Sequence, residues 1–105
     1  MSMDLIGRSG QKWSLSYGAW AFLLELAEKY GWQPAGTTLP DDPAYADIPW
    51  DGDYGSSDFQ AISATDAMEI AAALERAILA EPEEDSDTRR EFIEFLRQSG
   101  GLVLA

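Results

Sequence analysis

The first sixteen residues carry a period of two. Residues 3–7 are a short apolar stretch with one charge and predict a strand. Gly7 and Gly10 bracket a turn. Beyond it Trp13 and Leu15 alternate with Lys12, Ser14 and Ser16, which reads as a second short strand or the lead-in to a helix. The period then changes to that of a helix. Ser16 can cap a helix over about 17–30, with Trp20, Leu23, Leu24, Ala27 and Tyr30 on one face and Phe22 and Leu26 on the next. So apolar a helix is expected to be buried around most of its circumference, with Trp20, Phe22 and Tyr30 in the core. Gly31 is placed to turn the chain at its end.

The second half repeats these rhythms. Phe59 to Ile62 alternates and predicts a strand near 59–62. Ser63 followed by Asp66 resembles a capping box, with Asp where Glu or Gln is preferred. A helix over 64–80 then has Ala67, Ile70, Ala71, Leu74, Ala77 and Ile78 as its buried stripe, and the alanines predict a close approach to the neighbouring layer. Residues 81–87 read as an acidic loop. Asp87 can cap a third helix over 88–98 whose core face is Phe92, Phe95 and Leu96. Gly100 and Gly101 stop it before a closing strand near 101–104. Strands near 3–7, 59–62 and 101–104 with three helices predict one α+β domain over 1–105, built on a small, mostly antiparallel sheet.

Between these halves the rhythm fails. Residues 33–58 hold Pro34, Pro40, Pro43 and Pro49, three glycines and six aspartates, and no period survives them. The 31–58 stretch therefore predicts a long loop. Loops of that length in a compact domain are usually functional or disordered, and Tyr45, Trp50 and Tyr54 argue for the ordered case.

Over 59–104 the chain resembles a loose set of small uncharacterised bacterial α+β proteins. The likeness rests on the helix opening at Ile62-Ser63-Ala64-Thr65-Asp66-Ala67, the run Ala73-Leu74-Glu75-Arg76-Ala77, the segment Phe92-Ile93-Glu94-Phe95-Leu96-Arg97, and Gly100-Gly101 before the last strand. It implies an α+β fold, no activity and no functional residue.

Composition narrows the chemistry. There are 105 residues, no Cys, no His, and a formal net charge of −12. Thiol and imidazole catalysis are excluded, as are disulfides and His-ligated metals. The negative balance argues against nucleic acid, which needs a basic face. The start has no basic, apolar leader pattern, and no apolar run approaches the roughly 18 residues of a membrane span, so a cytoplasmic chain is expected. No phosphate loop or nucleophile-elbow pattern occurs, and no cofactor is implied.

Between Lys29 and Arg76 there are nine acids and no base. Their mutual repulsion predicts that mild acid or added salt stabilises the chain. Asp51-Gly52-Asp53-Tyr54-Gly55-Ser56-Ser57-Asp58 alternates oxygen ligands with glycine, but an EF-hand reading fails at Gly55, Ser56 and Ile62, so a turn is expected and no metal. Carboxylate pairs can serve a hydrolase, yet pairs without a positioned partner are common, and an enzyme is disfavoured. The expectation is a small acidic module binding a basic protein through Tyr45, Trp50, Asp51, Asp53, Tyr54 and Asp58, with an immunity- or antitoxin-like inhibitor as a special case. The alternatives are a chain with only an oligomerisation contact, and a carboxylate-based binder of a small ligand or cation.

Overall fold

A computed structural model describes residues 2–81 and 86–105. The first two alternating stretches are both strands, β1 (Ser2–Gly7) and β2 (Lys12–Ser16), so the second is not a helix lead-in. A tight turn joins them: the Gly7 N–H donates to the Gln11 carbonyl at 2.7 Å and the Gly10 N–H to the Gly7 carbonyl at 3.0 Å. β3 (Ala61–Ile62) and β4 (Leu102–Leu104) complete a four-stranded antiparallel sheet in the order β2-β1-β4-β3. Its covered face carries Met3, Leu5, Ile62, Leu102 and Leu104, all fully buried.

The helices are α1 (Tyr17–Lys29), α2 (Ala64–Ala80) and α3 (Ser86–Gln98). The stripe expected on α2 is buried throughout, and Ala73 joins it. Its alanines let α2 lie close against its neighbours, so that Ile70 and Leu74 reach the centre of the core. On α3, Phe92, Phe95 and Leu96 are buried as expected, and so is Ile93. Trp13 extends this layer at ring-centroid distances of 5.3 Å from Phe92 and 5.7 Å from Phe95. The Arg97 guanidinium pairs with the Glu75 carboxylate between α3 and α2.

Three expectations are corrected. α1 is not buried around its circumference: only Trp20 and Ala27 are, and Phe22 is 54% exposed. Trp20 and Ala27 are seven residues apart and share a face, whereas Phe22 lies about 200° around from Trp20. The strand predicted at 59–62 is shorter, because Phe59 has a φ of 61°. Phe59 donates its N–H to the Leu104 carbonyl (2.8 Å), and the Leu104 N–H donates to Gln60 (3.0 Å). Two residues thus oppose one, the bond pattern of a bulge whose first position usually holds glycine. Finally, α3 begins at Ser86, so Asp87 sits in its first turn, where its charge suits the helix dipole, and does not cap it. Of the acidic stretch 81–87, residues 82–85 lie outside the described residues.

α1 ends in a Schellman motif. The Trp32 N–H returns to the Ala27 carbonyl (2.9 Å) and the Gly31 N–H to Glu28 (3.1 Å), with Gly31 at φ 105°. Arg76 of α2 donates from Nε to the Tyr30 carbonyl at 2.8 Å, supplying one more partner to that helix end. This turn delivers Trp32, which is 3% exposed, into the core and starts the long segment.

Candidate functional site

The 31–60 segment is ordered by polar side chains that reach its backbone or each other. Its deepest anchor is Asp66 at the start of α2, which is 3% exposed. The Ser63 hydroxyl accepts from the Asp66 N–H at 3.0 Å, so the cap forms. The other half of a capping box does not: Asp66 Oδ1 accepts from Trp32 Nε1 at 2.8 Å and Oδ2 from the Tyr54 hydroxyl at 2.5 Å. The Trp32 and Tyr54 rings meet edge-on, with centroids 5.2 Å apart. The Tyr54 hydroxyl also accepts from the Gly36 N–H at 2.8 Å. Burial first, and the Asp66 carboxylate second, push the Tyr54 phenol well above its ordinary pKa.

Two further indoles tie the segment down. Trp20 donates from Nε1 to the Tyr54 carbonyl at 2.7 Å. Trp50 donates from Nε1 to the carbonyl and hydroxyl of Thr37, both at 3.1 Å. Thr37 in turn donates from its hydroxyl to the Asp53 carbonyl at 2.6 Å. Gln60, fully buried, accepts from the Asp58 N–H (2.8 Å) and donates to the carbonyls of Ser56 (2.6 Å) and Asp53 (3.3 Å). Among the described residues, no buried side-chain polar atom lacks a hydrogen-bond partner. Gly36 and Gly52 let two passes of the segment touch: a Cβ on Gly52, which has φ 83°, would lie 3.1 Å from Gly36 Cα. A 3-10 turn at Pro43–Tyr45, capped by the Asp42 carboxylate, is a local element that the sequence reading lacked.

This scaffold presents a shallow concavity of about 410 Å³ lined by Pro49, Trp50, Asp51, Asp53, Ser56 and Asp58. Four of the six expected site residues therefore come together: Trp50, Asp51, Asp53 and Asp58. Tyr45 lies in the 3-10 turn and does not line the concavity. Tyr54 is half-buried, and its hydroxyl is committed to Asp66. The three carboxylates are exposed, whereas Trp50 is half-buried with one side of the indole fixed by Thr37. No Lys or Arg lines the concavity. Among the described residues, no three His, Cys, Asp or Glu side chains are grouped to hold a metal ion. No helix among them is long and apolar enough to cross a membrane.

The residues that sequence reasoning missed are the supports. Gln60 had a usable signal: it shares strand parity with Ile62 and so points inward with it. Thr37 had none, because its partners lie 13 and 16 positions away. Comparison of the chain with protein-family models, with curated proteins and with solved structures finds no match.

Proposed function

We propose that this chain is a small acidic binding module of the cytoplasm that docks a basic protein on the concavity formed by Trp50, Asp51, Asp53 and Asp58. The observation that supports it is the lining itself: one half-buried indole and three exposed carboxylates converge with no local base. A lysine or arginine entering there meets an aromatic surface and opposite charge at once. The net charge of −12 draws a basic partner in and raises its association rate, most strongly at low salt. An immunity- or antitoxin-like inhibitor of a basic enzyme is the special case that this chemistry fits. The exposed carboxylates also lack the burial by which enzymes tune an acid–base pair, which favours binding over hydrolysis.

The test is Trp50→Ala, with a partner recovered by affinity purification. Binding should weaken about tenfold or more, as for an aromatic anchor at the centre of an interface. The melting temperature should fall by several degrees, because losing the Nε1 bonds to Thr37 costs about 1–2 kcal/mol. Unchanged binding with a large drop in melting temperature would reduce Trp50 to a structural residue.

A further inference from the structure

We propose that Asp51–Gly52 is a site of self-modification, at which the chain slowly converts aspartate to isoaspartate and so loosens the wall of the concavity that Asp51 lines. The sequence has no Asn, so isoaspartate can arise here only from aspartate, and Asp51 is the one aspartate followed by glycine. The reaction is attack by the following backbone nitrogen on the side-chain carboxyl carbon. It requires a carboxyl free to turn, a nitrogen free of other bonds, and no side chain in the way. Asp51 is exposed, and among the described residues its carboxylate has no hydrogen-bond partner. The Gly52 N–H likewise donates to nothing among them. Gly52 has no Cβ to obstruct the ring that forms. The nearby aspartates each lack one of these conditions. The nitrogen after Asp42 belongs to Pro43 and carries no hydrogen. After Asp41, Asp47, Asp58 and Asp66 the nitrogen is committed: the N–H of Asp42 donates to Pro40 (2.9 Å), that of Ile48 to Tyr45 (3.3 Å), that of Phe59 to Leu104 (2.8 Å) and that of Ala67 to Ser63 (2.9 Å). The Asp53 carboxylate accepts from the Gly55 N–H at 2.9 Å, and bulky Tyr54 follows it.

The step balances with water as its only other reactant. The Gly52 nitrogen bonds to Cγ of the neutral Asp51 carboxyl, and the amide hydrogen and the carboxyl OH leave as water. The product is a five-membered succinimide, favoured because both reacting groups are already held on adjacent residues. Water then opens the ring at either carbonyl. One opening restores aspartate. The other leaves the main chain running through Cβ and Cγ, with the α-carboxylate as the side group. Nothing is oxidised or reduced, and mass and net charge return to their original values. The added main-chain atom falls between two tethers to one residue. The Trp50 indole N–H is held by Thr37, and the Asp53 carbonyl by the Thr37 hydroxyl. Between them the Gly52 carbonyl accepts from the Thr37 N–H at 3.2 Å, and Gly52 packs so closely on Gly36 that even a Cβ would lie 3.1 Å from its Cα. The span 50–53 has no slack for a longer main chain, so one or more of the Thr37 bonds must yield. Trp50 and Asp53 then lose their fixed relation across the concavity. This holds whatever the concavity binds.

The folded chain is aged for weeks at body temperature in mildly acidic buffer and mapped by mass spectrometry with electron-transfer fragmentation, which separates the two linkages at equal mass. Isoaspartate at Asp51 should exceed that at Asp47, Asp53 or Asp58 about tenfold or more. Hydrogen exchange is then compared before and after ageing. In the chromatographically separated isoaspartate fraction, exchange over residues 36–54 should quicken about tenfold. Asp51→Glu keeps the charge but would have to close a six-membered ring, so its aged form should exchange like its fresh one. Isoaspartate no more frequent at Asp51 than at Asp53 or Asp58 overturns the site. Unchanged exchange in the isoaspartate fraction overturns the loosening, and so does equal quickening in aged Asp51→Glu.

Discussion

The helix-covered sheet and the 31–60 segment are held by different physics. In the first, apolar side chains at regular spacing meet across layers: Leu5 and Leu104 from the sheet, Ile70 and Leu74 from α2, Phe92 and Leu96 from α3. In the second, the apolar surface is thin, and order comes from individual hydrogen bonds made by Trp20, Trp32, Trp50, Thr37, Tyr54, Gln60 and Asp66. Burial is non-directional and tolerates small shifts, whereas each of these bonds needs one particular partner. The segment can therefore present exposed charge on a fixed frame, which a packed apolar layer cannot.

Damage to the first region should be felt everywhere. Leu74→Ala empties a fully buried site and should cost about 2–5 kcal/mol, lowering the melting transition of the whole molecule. Damage to the second should be more local. Asp66→Ala leaves the Trp32 indole and the Tyr54 hydroxyl without their acceptor, at a cost of about 3 kcal/mol. Hydrogen exchange should then rise across 31–60 more than in α2 or α3. Equal loosening of both regions would show that the segment is not held separately.

This contrast also explains what could be read from the sequence. The stripes on α2 and α3 were legible because burial follows from spacing along one element. Gly31 was legible because its turn involves only its neighbours. Phe22 is not legible as an exposed residue, because an apolar residue on an apolar helix carries no mark of which side meets the core. Asp66 reads as half of a capping box because Ser63 is three residues away, while its real donors, Trp32 and Tyr54, are 34 and 12 positions distant. Trp50, Asp51, Asp53 and Asp58 could be nominated by type, but their convergence depends on the contact of Gly36 with Gly52, which no local pattern announces.

Smaller effects sharpen the comparison. Phe59 sits at φ 61° with its side chain 54% exposed, so Phe59→Gly removes strain and loses little packing. A net gain of about 0.5–1 kcal/mol is expected in thermal unfolding, and a loss would mean that the ring supports the segment.

pH should act on opposite flanks. The Tyr54 phenol is raised in the folded chain by burial and by Asp66, and that of Tyr30 by its bond to Glu81. Their contributions are complete below the unfolded tyrosine pKa of about 10 and are lost as pH rises through the folded values, so alkaline titration should release the segment. Glu81 is lowered, first by the bond from Tyr30 and then by Lys29. Its contribution is present above the unfolded carboxyl value and is lost as pH falls through the folded one. Melting curves across both flanks separate the tyrosine contributions, lost at high pH, from that of Glu81, lost at low pH.

The central claim, that the ordered segment exists to hold an acidic recognition surface, is tested most directly by titration calorimetry with a Lys/Arg-rich peptide. The unmodified chain should bind with an affinity that falls as salt rises. The triple variant Asp51→Asn, Asp53→Asn, Asp58→Asn should bind about tenfold or more weakly while melting at the same temperature or higher, since its exposed carboxylates are not part of the core. Equal affinity for both chains, with the same salt dependence, would contradict the account.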